Sequence, residues 1–177
     1  MNETTFEIAV TDPRSTEAVA LIQSLSEELV RRYDHDDGSG NFKPEDVLVT
    51  RSAFVIGRAV ACGAFRPLGD GVAEIKRMFV APDFRGRGYS RAILSELERL
   101  ARQYGYSVVR LETGNRQPEA IQLYEGSGYK RIPNFGIYVD NEMSLCFEKR
   151  LLPADDWVSV VRHHRSIEYA VVDRTFF

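Results

Sequence analysis

The chain has 177 residues, 44% of them apolar, 28% charged and 11% aromatic, with 23 basic against 26 acidic side chains for a formal net charge of −3. This describes one globular domain with room for a sizeable core, and it excludes a disordered or collagen-like chain. No apolar run approaches the roughly 18 residues of a membrane span, Glu3 and Glu7 stand where a signal peptide would be basic, and a nucleic-acid binder's basic surplus is absent. A cytoplasmic protein without membrane or nucleic-acid partners is therefore expected.

Residues 5–10 alternate apolar and polar and predict a strand. A helix should follow, N-capped by Asp12 with Pro13 in its first turn and with Ala18, Ile22, Leu25, Leu29 and Tyr33 on its core stripe. Asp34 to Asn41, rich in glycine and acid, reads as an exposed loop. Ser52–Ile56 and Ala59–Phe65 predict a hairpin about Gly57 and Arg58, with a further turn at Leu68 to Gly71. In the next strand, Val72–Val80, a period of two puts Glu74, Lys76 and Met78 on one face and Ile75, Arg77 and Phe79 on the other.

Arg91 to Tyr104 has helical spacing and stops at Gly105, Ser107–Thr113 is a strand parallel to Val72–Val80, and Pro118 opens a short helix ending at Gly126 or Gly128. Strands at Tyr129–Ile132 and Met143–Lys149 close the pattern. In residues 151–177 a short helix near Asp156–His163 and a strand near Ile167–Val172 are expected. The order implies a mixed sheet with helices on both faces. Cys62 and Cys146 lie in apolar runs without metal-ligand spacing, so buried reduced thiols and no metal site are expected.

Arg85, Gly86, Arg87, Gly88, Tyr89 and Ser90 lie between a strand and a helix, where unpaired N–H groups and the helix dipole attract phosphate. A tight turn flanked by solvated arginines would use the same residues. A Walker loop would need Lys and Ser/Thr after its last glycine, and a dinucleotide fingerprint would need a small residue in place of Arg91. ATP and NAD are thus disfavoured.

In this context the sequence resembles the GNAT superfamily of acyl-CoA-dependent N-acyltransferases. Arg85, Gly88 and Ser90 match its Gln/Arg-x-x-Gly-x-Gly/Ala pattern except for the final Ser. VAEIKRMFVAP is similar to its central strand, and PEAIQLYEGSGYKRI to its second motif. The resemblance covers residues 5–150. It implies an α/β, three-layer αβα sandwich with a mixed, mostly antiparallel sheet of about six to seven strands and a splayed central parallel pair. Residues 1–150 would form the acetyltransferase domain, and residues 151–177 an extension that packs on it or on a dimer partner.

The resemblance further implies acetyl-CoA as co-substrate and no metal. The pantetheine arm would bond to the backbone of Met78, Phe79 and Val80, and the pyrophosphate would meet the amides of Arg85, Gly86, Arg87, Gly88, Tyr89 and Ser90. Asn115 and Gln117 would also touch cofactor or else structure their loop. Glu74, six residues before Val80, stands where members with a glutamate base carry it, or else is a strand-face carboxylate paired with Lys76 or an arginine; Tyr124 matches the usual acid for the CoA thiolate, or else is a core aromatic. A backbone N–H of Phe79 or Val80 would hold the oxyanion.

The acceptor end would be built from residues 33–46 and 133–141. Residues 1–50 hold eleven acids against four bases. With Tyr33, Asp34, Phe42, Phe135 and Tyr138 as binding residues, they favour a small cationic amine. A protein or peptide N-acetyltransferase and a non-catalytic acyl-CoA-binding module remain open alternatives. The aromatic tail (Trp157, Tyr169, Phe176, Phe177) is a candidate homodimer element.

Overall fold

The computed structural model describes residues 6–34, 49–55, 57–152 and 170–172. Phe42, the 156–163 helix and the aromatic tail residues lie outside the described residues. Among the described residues eight strands form one sheet: β1 (Glu7–Val10), β2 (Val49–Val55), β3 (Arg58–Gly69), β4 (Val72–Val80), β5 (Val108–Gly114), β6 (Lys130–Ile132), β7 (Ser144–Arg150) and β8 (Ala170–Val172). Their spatial order is β6-β7-β5-β4-β3-β2-β1-β8, antiparallel throughout except for the β5/β4 and β1/β8 pairs. The expected six to seven strands become eight because residues 170–172 join β1 at the sheet edge.

Helix α1 (Thr16–Tyr33) starts at Ser15, whose side chain accepts the Ala18 N–H at 3.2 Å. Asp12, the expected cap, instead accepts the Arg14 N–H at 2.8 Å in the turn that precedes the helix. Both residues are good acceptors, and only Ser15 stands where the helical backbone begins. Leu21 and Leu25 pack with Cys62 and Phe79 on one face of the sheet.

Helices α2 (Tyr89–Gln103) and α3 (Pro118–Gly126) cover the opposite face. Ile93, Leu94, Leu97, Leu100 and Tyr124 close the main core there over Phe65, Ile75, Val109, Leu111 and Phe147. Two helical layers around the sheet make the expected αβα sandwich. Helix α2 begins two residues before the expected Arg91, so Tyr89 and Ser90 are in its first turn.

On β3, Gly63 faces α2 at very close range. A Cβ there would lie 3.0 Å from a Leu97 methyl and closer still to Ile93 and the Met78 sulfur. Gly63→Ala is therefore expected to destabilise the fold by about 1–3 kcal/mol through overpacking, read as a lower urea midpoint at unchanged slope.

Two irregularities shape β4. Asp70 (φ 48°) and Gly71 (φ 74°) make the β3–β4 turn in the left-handed region that two-residue hairpins require. Farther along, Ala64 pairs with Lys76 and Cys62 with Phe79, so β4 spends three steps where β3 spends two. Arg77 sits in this bulge at φ 57°, and its carbonyl accepts the Cys62 thiol at 3.4 Å.

The bulge corrects the expected alternation. Glu74 and Lys76 share their face with Phe79, which packs under α1, whereas Met78 turns toward α2 with Ile75. Met78 and Glu74 are therefore on opposite faces.

Candidate active site

The β4/β5 ladder ends early. Val72 to Ile75 pair with Val108 to Leu111, and beyond Ile75 the two parallel strands part. From Lys76 to Val80 the β5-facing edge of β4 is without a strand partner among the described residues, while β3 continues to pair the other edge. Because the Ala81 N–H bonds back to the Val60 carbonyl at 2.9 Å, alternation turns the Val80 N–H and C=O toward the free edge. Arg85 Nε already reaches that carbonyl at 3.0 Å.

A cleft of about 260 Å³ opens along this edge. Met78, Phe79 and Val80 line it, together with Arg85, Gly86, Gly88, Tyr89 and Ser90 from the loop and first turn of α2, and Gln117, Ala120, Leu123 and Tyr124 from α3. Gly88 is the N-cap of α2 at φ 84° and offers no side-chain cap. The first intrahelical bond runs from the Ala92 N–H to the Gly88 carbonyl at 3.0 Å. The N–H groups of Tyr89, Ser90 and Arg91 thus have no helix carbonyl, which is the arrangement that binds anions.

Not every expected cofactor residue points into the cleft. The Tyr89 ring is buried against Phe6 at 4.7 Å between centroids, leaving its backbone for the site. Arg87 lies over the Phe84 ring and bonds the Asp83 carbonyl at 3.1 Å. Asn115 is exposed and bonds Met143 through its backbone, whereas Gln117 lines the cleft.

Tyr124 is buried among Tyr129 and Phe147 and borders the cleft. Burial, and then the charge of Glu112, raises its phenol pKa well above the ordinary tyrosine value. It is a hydrogen-bond donor at every working pH.

Glu74 lies on the α1 face of β4 with no exposed surface. Oε2 accepts Arg66 Nε from β3 at 2.7 Å, and Oε1 accepts the Tyr138 hydroxyl at 3.1 Å. Lys76 Nζ donates to that hydroxyl at 2.5 Å and stands 3.7 Å from the carboxylate. Tyr138 ends a 3-10 turn at Gly136–Tyr138, and its ring meets Phe135 edge-on at 5.6 Å. Phe135 in turn lies under the Arg110 guanidinium at 5.5 Å. Register places Glu112, Cys146 and Ser144 on the same face, where Ser144 Oγ donates to Glu112 at 2.6 Å. The structure therefore brings Glu74, Phe135 and Tyr138 together.

Tyr33 and Asp34 meet a different neighbour. The Tyr33 hydroxyl accepts the Arg116 N–H at 2.9 Å against Gly114, and Asp34, the left-handed C-cap of α1, is 3.9 Å from the Arg116 guanidinium. They tie the end of α1 to the loop between β5 and α3.

The sequence reading, which set Lys76 beside Glu74, missed Arg66, Glu28, Arg32 and Glu119. Arg32 joins Glu28 to Glu119 at 2.9 and 3.1 Å across one wall of the cleft, and Glu28 also holds Arg85. The spacing of Glu28 and Arg32 was a readable signal. The α3 partner left none. Among the described residues no cluster could hold a metal, and no helix is long and apolar enough to cross a membrane.

A parallel pair that parts beside an amide-lined helix start is the architecture of acyl-CoA N-acyltransferases. Residues 9–129 match the acetyltransferase (GNAT) family, and the chain belongs to it as an acyl-CoA-dependent N-acetyltransferase. It is 36% identical over 151 residues to an IAA acetyltransferase from Azospirillum brasilense, a match spanning 81% of this chain and 97% of the relative. A solved Klebsiella pneumoniae structure described as an acyl-CoA N-acyltransferase superposes with TM-score 0.73 at 31% identity, covering 84% of this chain and 99% of that one. An Elizabethkingia anophelis GNAT acetyltransferase with acetyl-CoA bound shares the fold at TM-score 0.63 and 17% identity, over 83% of this chain and 99% of its own.

Proposed function

We propose that this chain transfers the acetyl group of acetyl-CoA to the primary amine of a small cationic molecule, by direct attack in a ternary complex. The observation that carries the reading is the free β4 edge at residues 76–80, which opens onto a cleft bounded by the α2 amides and by Tyr124. A pantetheine arm can add to that edge as a strand would, with its pyrophosphate on the amides of Gly88 to Ser90.

In the reaction the amine attacks the thioester carbonyl, the oxyanion meets the backbone N–H of Val80, and the C–S bond breaks toward Tyr124. The raised pKa makes the Tyr124 phenol a hydrogen-bond donor to the leaving thiolate across the working pH range. Glu74 supplies the negative charge that draws off the amine proton. Both its oxygens are engaged, so it acts through a neighbouring group that takes the proton.

The preference for a cationic acceptor rests on the acid excess of residues 1–50 and on Glu74 and Glu112 at the parting of the strands. The test is CoA-thiol release from acetyl-CoA against cationic, neutral and carboxylate-bearing amines and basic peptides, with Tyr124→Phe in parallel. Cationic small amines should turn over fastest. Tyr124→Phe should lower kcat about 100-fold at unchanged acetyl-CoA affinity. Preferential peptide turnover would overturn the acceptor assignment, and full activity of the variant would remove Tyr124 from the mechanism.

A further inference from the structure

Glu74 stands in the position of a base but cannot touch an acceptor. Its side chain has no exposed surface, Arg66 occupies one oxygen and Tyr138 the other. Whatever takes the proton must lie between this carboxylate and the place where the strands part.

Lys76 is the residue at that place. It is the first residue of β4 beyond the last β5 pairing, it shares the face of Glu74, and a fifth of its side chain remains accessible. Its ammonium is not locked in a short ion pair. Nζ is 3.7 Å from Glu74 and donates to the Tyr138 hydroxyl, which passes its own hydrogen to Oε1. Nζ, the phenol and the carboxylate thus form a chain with the nitrogen at its accessible end.

We propose that Lys76, as a neutral amine, is the group that accepts the acceptor's proton, with Tyr138 and Glu74 as positioning residues behind it. This rests on the acetyl-transfer reading above. As the acceptor nitrogen forms its bond to the acetyl carbon, its proton moves to the Nζ lone pair, while the C–S electrons leave with the CoA thiolate toward Tyr124. The new ammonium is held beside Glu74 until it releases the proton to solvent.

Burial favours the neutral amine. Burial is the largest influence and lowers the Lys76 pKa; Glu74 and Glu112 oppose it, and Arg77 and Arg66 add to it, leaving the net shift downward. On the same face the Arg110 guanidinium pairs with Glu148 at 2.8 Å, and the Tyr138 phenol and the Cys146 thiol are both raised, first by burial. Neither carries charge at neutral pH. A base must be unprotonated to act, so activity should rise with pH through the Lys76 titration and level off above it.

The test compares wild type, Lys76→Met, and Lys76→Cys alkylated with bromoethylamine, which restores an amine made less basic by the chain sulfur. Neither native thiol interferes: both are buried, and burial pushes the Cys62 thiol up to about 12 and raises that of Cys146. Lys76→Met, assayed well below its thermal midpoint, should lose about 100-fold in kcat/KM with acetyl-CoA affinity unchanged. The alkylated variant should recover most of that loss, with the acid limb of its pH profile at lower pH. The limb due to the acceptor's own ammonium stays in place, because the acceptor is unchanged.

Wild-type activity in Lys76→Met overturns the proposal, and so does an alkylated variant whose acid limb does not move. If wild type binds acetyl-CoA but acetylates no amine, the acetyl-transfer reading fails and takes the proposal with it. That result is distinct from turnover that persists without Lys76.

Discussion

Glu74→Gln should lower turnover by about 100-fold while acetyl-CoA binds as before. The amide keeps the shape of the carboxylate but not its charge, so Arg66 Nε and the Tyr138 hydroxyl, now at 2.7 and 3.1 Å from carboxylate oxygens, lose the anion they converge on. Arg66 is 28% exposed and recovers part of its loss from water. We expect about 1–3 kcal/mol of destabilisation, at the lower end if the guanidinium swings out. The two effects separate cleanly: urea melts report the second, and kcat measured well below the thermal midpoint reports the first. Full turnover in the variant would show that the carboxylate has no part in the proton's path.

Gly88→Ala should act on the other half of the reaction and weaken acetyl-CoA binding about 100-fold. At φ 84° the N-cap of α2 is in a region that costs an L-residue about 1–2 kcal/mol. Relief of that strain rotates the peptide that aims the Tyr89 and Ser90 amides. A charge-assisted hydrogen bond to phosphate is worth about 1.5–3 kcal/mol, so one amide turned away accounts for most of the effect. Calorimetric titration with CoA checks it, and kcat at saturating acetyl-CoA should stay within a few-fold. Unchanged affinity would mean that the amides of this turn do not hold the cofactor.

What could be read in the sequence was whatever a period or a cap decides locally. The stripe Ile93, Leu94, Leu97, Leu100 and Ala101 made α2 unmistakable, and Gly105, at φ 85°, stops it as expected. The parallel β4/β5 pair followed from a helix lying between two strands. The bulge did not, because arginine is not a residue that favours the left-handed region and the irregularity is imposed by the partner strand.

The Arg66–Glu74 pair was hidden for a similar reason. Counting back from the Asp70–Gly71 turn sets Pro67 opposite Glu74, but the irregularity between Pro67 and Gly69 shifts the partner to Arg66. Tyr33 and Asp34 had the residue types of an acceptor site, yet both meet Arg116, a partner 83 and 82 positions away that no local pattern reveals. Residues 170–172 add too short a strand for periodicity to bound.

The bulge at Arg77 makes the length of β4 a phase as well as a distance. Its extra residue lets one strand present Glu74 and Lys76 to the α1 side and still bring Phe79 back to that side three positions on, with the Val80 backbone left on the open edge. Removing a single residue here would restore strict alternation, and either the proton-handling side chains or the cofactor-lining ones would then face the wrong layer. Surface loops of the fold can lengthen and shorten in evolution at little cost. Between Glu74 and Val80 the chain has no such freedom: substitutions can be absorbed, whereas an insertion or deletion of odd length would separate the two halves of the chemistry.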